Sequence, residues 1–304
     1  SANRVSNALS ASATDNGATA GLNSSQASAA GVTVNATSSV GYGLASLLAV
    51  VPATDSSISV DGNSTTALAR GNSASNALNY NDTSYSGPTT LAAITDTTSV
   101  AAAISMRNGQ TNSGALNATS TSAAYTLSLD AGATGAAGAL NSSAKLANNT
   151  VAANGFGNVA SNSMNVTTAG DNAPSAVVLN AQSNDATGTV TTLATGTTFT
   201  LALNSDGIGA TNSNAMMTNN TVSSNAYGNM AMNNVTMASF GAGVPSSAVS
   251  SIQSNSAAIS ATAANVTFGM TVGSNTGSAL RSNGNNTTVQ AVANSSVSTI
   301  GGGN

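Results

Sequence analysis

Side chains that commonly carry catalysis or hold metals are nearly absent from this sequence. The chain has 304 residues with no His, no Cys and no Glu, and all nine acidic residues are Asp. General acid–base catalysis usually relies on His, or on a carboxylate or Lys with a shifted pKa. Metal sites need His, Cys or clustered carboxylates. Most of the Asp residues neighbour turn-forming residues, so we expect no enzyme, no metal and no cofactor.

Three local patterns could still carry chemistry, and each has a simpler explanation. Ser142-Ser143-Ala144-Lys145 fits the S-x-x-K motif of penicillin-interacting serine enzymes, but Lys145 is the only Lys, so the partner motif K-T-G cannot occur. Calcium could bind near Asp171-Asn172 or Asn184-Asp185, without specificity. A local Met cluster could bind copper, although filling of apolar gaps explains it better; it consists of Met216, Met217, Met230, Met232 and Met237.

The composition excludes several classes of partner. Ala, Ser, Asn and Thr make up 186 of the 304 residues, and only 5% are charged. Four Arg and one Lys, scattered along the chain, cannot form the basic stripe that nucleic acids require. The longest predominantly apolar run, residues 44–51, is far shorter than the ~20 residues of a transmembrane helix. A chain that is 40% hydrophobic with a net charge of −4 is also unlike a disordered one.

Short strands are the secondary structure that the local pattern indicates. Apolar residues alternate with polar ones in several segments, for example at Tyr125, Leu127 and Leu129, and this period of two is typical of a strand. The helix formers Glu, Lys and Gln are nearly missing. Turns are predicted at the Asp-Gly and Asn-Gly pairs that begin at Asp61, Asn108, Asn154, Asp206 and Asn283.

Internal repetition is the strongest organising feature of the sequence. Residues 139–162 align without gaps with residues 210–233 at an offset of 71, and 13 of the 24 positions are identical. A shorter copy, GNSASN, occupies residues 71–76. The positions that we expect to stack are Asn72, Ala74, Asn76, Asn149, Val151, Asn154, Gly157, Asn158, Ala160, Asn162, Asn220, Val222, Asn225, Gly228, Asn229, Ala231 and Asn233.

Such a repeat can be stabilised by the stacking of equivalent residues in successive layers. Asn side chains at the same position in successive layers bond to one another, and such ladders stabilise cross-β arrangements. Small Ala and Ser side chains allow close packing, and Gly allows sharp corners. One layer alone cannot bury its own face, so the sequence predicts layers that need neighbours within the chain or from other chains.

A G-N-x-A step recurs at Gly71-Asn72-Ser73-Ala74, Gly157-Asn158-Val159-Ala160 and Gly228-Asn229-Met230-Ala231. This step resembles the repeats of curli-type bacterial functional amyloids, and it is similar to the Asn-, Ala- and Ser-rich β-repeats of holdfast-anchor and related surface proteins. The resemblance implies a secreted fibre subunit, outside the cell or on its surface, that serves adhesion or the building of a biofilm matrix.

We predict an all-β fold, with residues 1–304 forming a single repetitive domain. Its short strands would stack as a β-solenoid or as an amyloid-like layered fold. The alternative is a β-sandwich, pilin-like subunit joined by strand donation, with paired sheets and no layer-to-layer repetition of Asn. Residues 1–53 are a candidate N-terminal assembly segment. Its candidate assembly patch, which a buried core strand would explain equally well, is Leu44, Leu47, Leu48, Val50 and Val51.

The function that these observations favour is that of a structural subunit in a self-assembling extracellular filament. Its main partner would be itself, with a surface polysaccharide as a second candidate. The alternative is a repetitive adhesin that binds carbohydrate or a surface and does not polymerise. Four Phe, five Tyr and no Trp weigh against stacking on sugars. A polysaccharide lyase on a β-helix would need clustered acids or bases, which the chain lacks.

Overall fold

Strands account for all regular secondary structure in the part of the chain that the structure describes. The computed structural model describes residues 1–14, 17–44, 53–87, 89, 92–94, 100–129, 139–203, 210–273 and 275–303. These residues form 27 strands and no helix, and hence no helix among them could cross a membrane. The all-β prediction is confirmed.

The strands follow one another in four turns of the chain and one final strand. The first turn contains β1 (Asn3–Ala13), β2 (Ala20–Ser28), β3 (Val32–Ala36), β4 (Ser39–Leu44), β5 (Ala53–Thr54) and β6 (Ser57–Asp61). The second contains β7 (Ser64–Asp82), β8 (Ala93–Ile94), β9 (Val100–Ala101), β10 (Ile104–Asn112), β11 (Leu116–Thr121), β12 (Ala124–Leu129), β13 (Ala139–Leu140) and β14 (Ser143–Ala147). The third contains β15 (Thr150–Thr168), β16 (Ser175–Asn184), β17 (Val190–Thr195), β18 (Thr198–Leu203), β19 (Ala210–Thr211) and β20 (Asn214–Thr218). The fourth contains β21 (Thr221–Ser239), β22 (Ser246–Asn255), β23 (Ile259–Ala264), β24 (Thr267–Val272), β25 (Asn275–Thr276) and β26 (Ala279–Asn283), and β27 (Asn286–Gly303) follows it.

Strands at the same place in successive turns lie side by side in six parallel sheets. Sheet A contains β1, β7, β15, β21 and β27 in that order. Four strands form each of sheet B (β2, β10, β16, β22), sheet C (β3, β11, β17, β23), sheet D (β4, β12, β18, β24), sheet E (β5, β13, β19, β25) and sheet F (β6, β14, β20, β26). Only β8 and β9 pair antiparallel among the described strands. The architecture is therefore β-solenoid-like, and its six described main sheets are parallel, unlike the antiparallel sheets of the sandwich alternative.

The register between turns is kept although the turns differ in length. Asn3, Asn72, Asn158, Asn229 and Asn294 occupy one position of sheet A, at sequence separations of 69, 86, 71 and 65. The longest separation includes the connection that holds β8 and β9. The separation of 71 equals the offset of the sequence repeat, whose two copies pair with each other along β13, β14 and β15.

The corner between sheets F and A needs a left-handed backbone in every turn. Gly62, Asn148, Asn219 and Gly284 occupy this corner, with φ values of 72°, 55°, 55° and 67°. Gly adopts positive φ at no steric cost, and Asn tolerates it better than most other residues. The turns predicted at Asp61-Gly62 and Asn283-Gly284 lie at this corner.

The prediction of turns at Asn108-Gly109 and Asn154-Gly155 is wrong, because both pairs lie inside strands β10 and β15. Asn108 is fully buried. A Cβ on Gly155 would lie 2.8 and 2.9 Å from side-chain carbons of Val190 and Thr192, so this Gly makes room for sheet C. The pair that begins at Asp206 lies outside the described residues.

The long strands of sheet A bend where Gly precedes Asn. Gly157 and Asn158 are both buried, which breaks the alternation of inward and outward side chains in β15. Before the bend, Ala67 and Ala69 belong to an apolar cluster with Leu116 of sheet C. After the bend, strands of sheet A share a second cluster with sheet B. A third cluster joins sheets D and F to Val151, Ala153 and Val222, which lie before the bend in sheet A.

Apolar side chains stack from turn to turn in the same way. In sheet D the rings of Tyr125 and Phe199 lie 5.2 Å apart, and those of Phe199 and Phe268 lie 5.1 Å apart, all nearly parallel. Leu127 and Leu129 are buried beside Tyr125, as the period of two predicts. Each such side chain is covered by its equivalents above and below, so its burial depends on the neighbouring turns.

We expect Gly157→Ala to destabilise the fold by about 2–3 kcal/mol, the usual cost of forcing extra volume into a packed site. The added Cβ would lie 2.4 Å from the backbone oxygen of Gly228 and 3.1 Å from Asn184 Oδ1. The matched control is Gly41→Ala, because nothing lies within 4 Å of a Cβ at that strand position. Urea unfolding followed by circular dichroism measures both, and equal midpoints for the two variants would contradict the proposed bend.

Candidate functional site

Uncharged amide side chains fill the space between sheet B and the part of sheet A that follows the bend. We call this region the amide seam and define it by five columns of side chains. They are Asn3, Asn72, Asn158, Asn229 and Asn294; Asn7, Asn76, Asn162 and Asn233; Asn108 and Asn180; Gln26, Gln110, Gln182 and Gln253; and Asn112, Asn184 and Asn255. In the middle turns these side chains are buried.

The first Asn column forms a continuous hydrogen-bonded ladder. Asn72 Nδ2 donates to Asn158 Oδ1, and Asn158 Nδ2 donates to Asn229 Oδ1, each at 2.8 Å. The second N–H of each amide crosses to sheet B, where Asn72 reaches the carbonyl oxygen of Thr111 and Asn158 that of Ser183, each at 2.7 Å. These crossing bonds assign the amide orientation, because a flipped amide would face one oxygen with another.

The Gln column runs with the opposite polarity. Gln110 Nε2 donates to Gln26 Oε1, and Gln182 Nε2 donates to Gln110 Oε1, each at 2.7 Å. These amides also cross the seam, because Gln110 and Gln182 donate to the carbonyl oxygens of Val159 and Met230 in sheet A at 3.0 Å. Asn side chains of sheet A thus donate to backbone carbonyl groups of sheet B, and Gln side chains of sheet B donate to backbone carbonyl groups of sheet A.

Hydrogen bonds also join the Asn76 column of sheet A to the Asn108 column of sheet B. Asn76 Nδ2 donates to Asn162 Oδ1 at 2.8 Å and to Asn108 Oδ1 across the seam at 3.2 Å. Asn108 Nδ2 in turn donates to Asn180 Oδ1 at 2.8 Å. A shift by one residue would exchange inward and outward side chains and break both the ladder and the crossing bonds, so the network specifies a single register.

A separate Asn ladder caps the corner between sheets F and A. The side-chain oxygen of Asn149 accepts from the backbone N–H and the Nδ2 of Asn63, at 3.1 and 2.9 Å. The side-chain oxygen of Asn220 accepts the same two hydrogen bonds from Asn149, at 3.2 and 2.9 Å. The side-chain oxygen of Asn285 accepts them from Asn220. The predicted positions Asn149 and Asn220 therefore hold the corner rather than the seam.

The structure distributes the other predicted positions over three environments. Ala74, Ala160 and Ala231 are buried between the two Asn columns of sheet A. Val151 and Val222 belong to the apolar cluster shared by sheets D and F. Asn154 and Asn225 face outward as an isolated pair at 2.9 Å.

Only one residue of the candidate assembly patch lies among the described residues. Leu44 is the last residue of β4, whereas Leu47, Leu48, Val50 and Val51 lie outside the described residues. The rest of the candidate assembly segment contributes strands β1–β4 to the first turn. Its role in assembly stays a prediction.

Sequence reasoning missed half of the seam, the side of sheet B. Four of the five Gln residues stand in one column, at separations of 84, 72 and 71. The motif Asn/Ser-x-Gln-x-Asn/Ser, seen as Asn108 to Asn112 and as Asn180 to Asn184, would have identified it. The Gln residues at 110, 182 and 253 are separated by 72 and 71 residues, close to the repeat offset of 71. This spacing was the sequence signal that could have identified the Gln column.

Within the described ranges, the residues that could carry chemistry do not converge on a site. Ser142 Oγ accepts from the backbone N–H of Ser56 and is buried, while Lys145 pairs with Asp61 at 2.5 Å. This Lys145 contact and an Asn148 hydrogen bond hold the pKa of Asp61 below its ordinary value. No cluster of three potential metal ligands among His, Cys, Asp and Glu occurs in the described ranges.

The five Met residues of the predicted local cluster lie in different environments. Met217 is buried in the apolar cluster of sheets D and F, Met237 is buried between sheets A and B, and Met232 is exposed. This distribution matches the gap-filling interpretation and separates the sulfur atoms that a copper site would need to gather.

One buried carboxylate lies at the corner between sheets A and B. Asp82 is fully buried and accepts from Tyr80 Oη at 3.2 Å and from the backbone N–H of Ser84 at 3.1 Å. Burial, together with the nearby carboxylate, raises the pKa of Tyr80 to about 12 and raises the pKa of Tyr85. A phenol with a raised pKa stays protonated at neutral pH, so neither Tyr is available there as a general base.

A shallow groove lies along the outer face of sheet B. Its volume is about 350 Å³, and the residues that line it include Ser25, Arg107, Gly109, Thr111, Ala181 and Ile252. The lining contains no aromatic side chain. It therefore lacks the flat apolar surface on which a sugar ring would stack.

The chain matches no protein-family model, no curated protein and no solved structure.

We predict that Asn158→Ala destabilises the protein by roughly 3–5 kcal/mol, because it strands buried polar groups of Asn72, Asn229 and Ser183, at about 1–3 kcal/mol for each unpaired group. The matched control is Asn165→Ala on the same strand, whose amide bonds Asn79 at 2.9 Å on the exposed face. That variant should change stability by no more than about 0.5 kcal/mol. Urea unfolding of both variants is the test, and equal losses would refute the importance of burial.

Alkaline pH should destabilise the fold through Tyr80. Below pH 10, the ordinary pKa of the group, the Tyr80 phenol is neutral in both the folded and the unfolded chain. Between about pH 10 and 12 it ionises in the unfolded chain but stays neutral in the folded one. The free energy of unfolding therefore falls as the pH rises through this range. The loss is on the order of 2 kcal/mol. Tyr80→Phe should flatten this part of the pH profile, which thermal melting between pH 9 and 12 measures. An unchanged slope would show that Tyr80 does not titrate in this way.

Proposed function

We propose that this chain is a structural subunit of a secreted, self-assembling extracellular filament of the β-solenoid type. Its role would be adhesion or the building of a biofilm matrix, and its main partner is another copy of itself. The observation that carries the proposal is that amide and apolar side chains repeat from turn to turn, while on β27 the amide of Asn294 accepts but does not donate among the described residues and apolar side chains lie exposed.

The apolar columns illustrate these unfinished ends. Val235 is fully buried, whereas Ile300, its counterpart on β27, is 53% exposed. Ser224 is likewise buried beneath Val289, which is 49% exposed. Burying such surfaces contributes about 25 cal/mol per Å² of apolar area, so the open ends favour contact with another layer.

The strand edges at the ends carry little protection against pairing. Monomeric β-proteins blunt exposed edges with Lys, Pro, short strands or covering segments. Here β27 is 18 residues long, and the entire chain has one Lys and four Pro. A long edge with few charges is a template for adding strands.

The amide seam supports a structural role in preference to a catalytic one. Its groups are neutral amides that already donate and accept within the network, and they offer neither a nucleophile nor a titrating acid. The adhesin alternative gains no support from the outer groove of sheet B, which lacks aromatic residues. The G-N-x-A steps that resemble bacterial surface-fibre repeats support the extracellular location.

The test is electron microscopy of the purified protein at high concentration, combined with fibre diffraction from aligned material. We expect unbranched filaments with a reflection near 4.8 Å along the filament axis, the spacing between neighbouring strands. Asn158→Ala should lower filament yield more than Asn165→Ala does. Stable monomers at high concentration, or filaments without the axial reflection, would contradict the proposal.

A further inference from the structure

We propose that assembly proceeds by strand exchange, in which β27 of one copy replaces β1 of the next copy against its β7. This inference rests on the proposed filament function and specifies how the subunits join. Its occupant is a second copy of this chain, joined head to tail. Such a heterologous contact does not close on itself and generates an open filament.

The sheets do not contain equal numbers of strands. Sheet A has five strands, whereas sheets B to F have four each. A second copy whose β2–β6 continue sheets B–F directly above β22–β26 would bring its β1 to the place that β27 already occupies. If the second copy were shifted up by one turn, the clash would be avoided, but each of sheets B to F would then lack a strand at the joint. In the unshifted arrangement, either β27 of the first copy or β1 of the second must therefore be displaced.

The two competing strands carry equivalent side chains. Both β1 and β27 occupy edge positions of sheet A, where Asn3 corresponds to Asn294 and Leu9 corresponds to Ile300. By this register, Ile300 of one copy would cover Leu78 of the next, as Leu9 does within a chain. The exchange therefore replaces each inward contact with one of the same kind.

β27 can pair along the whole of β7. It spans 18 residues and lies on both sides of the bend. By the shared register, its first residue, Asn286, would lie opposite Ser64, the first residue of β7. The exchange therefore covers the exposed Val289 and Ile300.

The polarity of the ladders favours head-to-tail joining over head-to-head joining. Asn294 accepts from Asn229 at 2.8 Å, and among the described residues its own Nδ2 has no partner. That N–H can donate to Asn72 Oδ1 of the next copy, as Asn3 does within a chain at 2.9 Å. At the same joint, Gln253 Oε1, which accepts no hydrogen bond from the described part of the chain, would face the Nε2 of the next copy's Gln26. Two identical ends would instead oppose donor to donor.

Engineered disulfides can test the exchange because the natural chain contains no Cys. Ser6 lies opposite Ser75 on the outer face of β1 and β7, and Met232 lies opposite Val297 on β21 and β27. Strands this close place Cα atoms within disulfide range. The variant S6C/S75C locks β1 in place, while the matched variant M232C/V297C locks β27 to its own chain.

We expect oxidised S6C/S75C to lose at least tenfold in its rate of filament growth and to recover it on reduction, while oxidised M232C/V297C grows like the natural chain. Equal growth of both locked variants, or inhibition of M232C/V297C alone, would overturn the proposal. The growth assay uses thioflavin fluorescence and electron microscopy.

A second measurement separates this inference from the filament function. Full-length S75C is mixed with full-length V297C under mild oxidation, and mixed-disulfide dimers are counted on non-reducing gels, with S75C mixed with N165C as the control pair. Dimers without filaments would support strand exchange and contradict the filament function. Filaments in which this cross-link does not exceed the control would contradict strand exchange alone, and the absence of both would contradict both.

Discussion

The hydrogen bond between equal amide side chains on successive turns is the interaction on which the rest of the structure depends. From Asn3 to Asn229, each amide of the first Asn column donates once along the stack and once across it, as Asn158 does to Asn229 and to the Ser183 carbonyl. A buried amide without partners is costly. The network is therefore stable only when every turn repeats the same position, and this requirement explains the composition: many Asn, small neighbours and few charges.

This constraint acts on the strands and leaves the connections free. Separations between equivalent Asn residues range from 65 to 86, yet the ladder distances stay between 2.8 and 2.9 Å. The bend at Gly157 and the left-handed corner at Asn148 recur for the same reason, since both bring the next column into line. A filament built from such turns would extend the same network from one chain into the next.

Sequence reasoning identified the all-β class and one face of the seam, and physical causes explain where it stopped. The repeat offset of 71 was visible because the segments 139–162 and 210–233 contain no insertion, whereas the turn with β8 and β9 hides its equivalence to the others. The Gln column has no local signature until the register is known. Asn154-Gly155 suggested a turn because local propensity favours one, but packing against Val190 and Thr192 overrides that propensity. The roles of residues 1–53 in assembly stay predictions.

The most direct test of the central claim is hydrogen exchange of the side-chain amides, followed by NMR on protein labelled with nitrogen-15 at Asn and Gln. Protons of Asn158, Asn162 and Gln182 are buried in the ladders, and we expect them to exchange orders of magnitude more slowly than those of the exposed Asn165. If Asn158 and Gln182 exchanged as quickly as Asn165, the amide seam could not be what holds the turns in register.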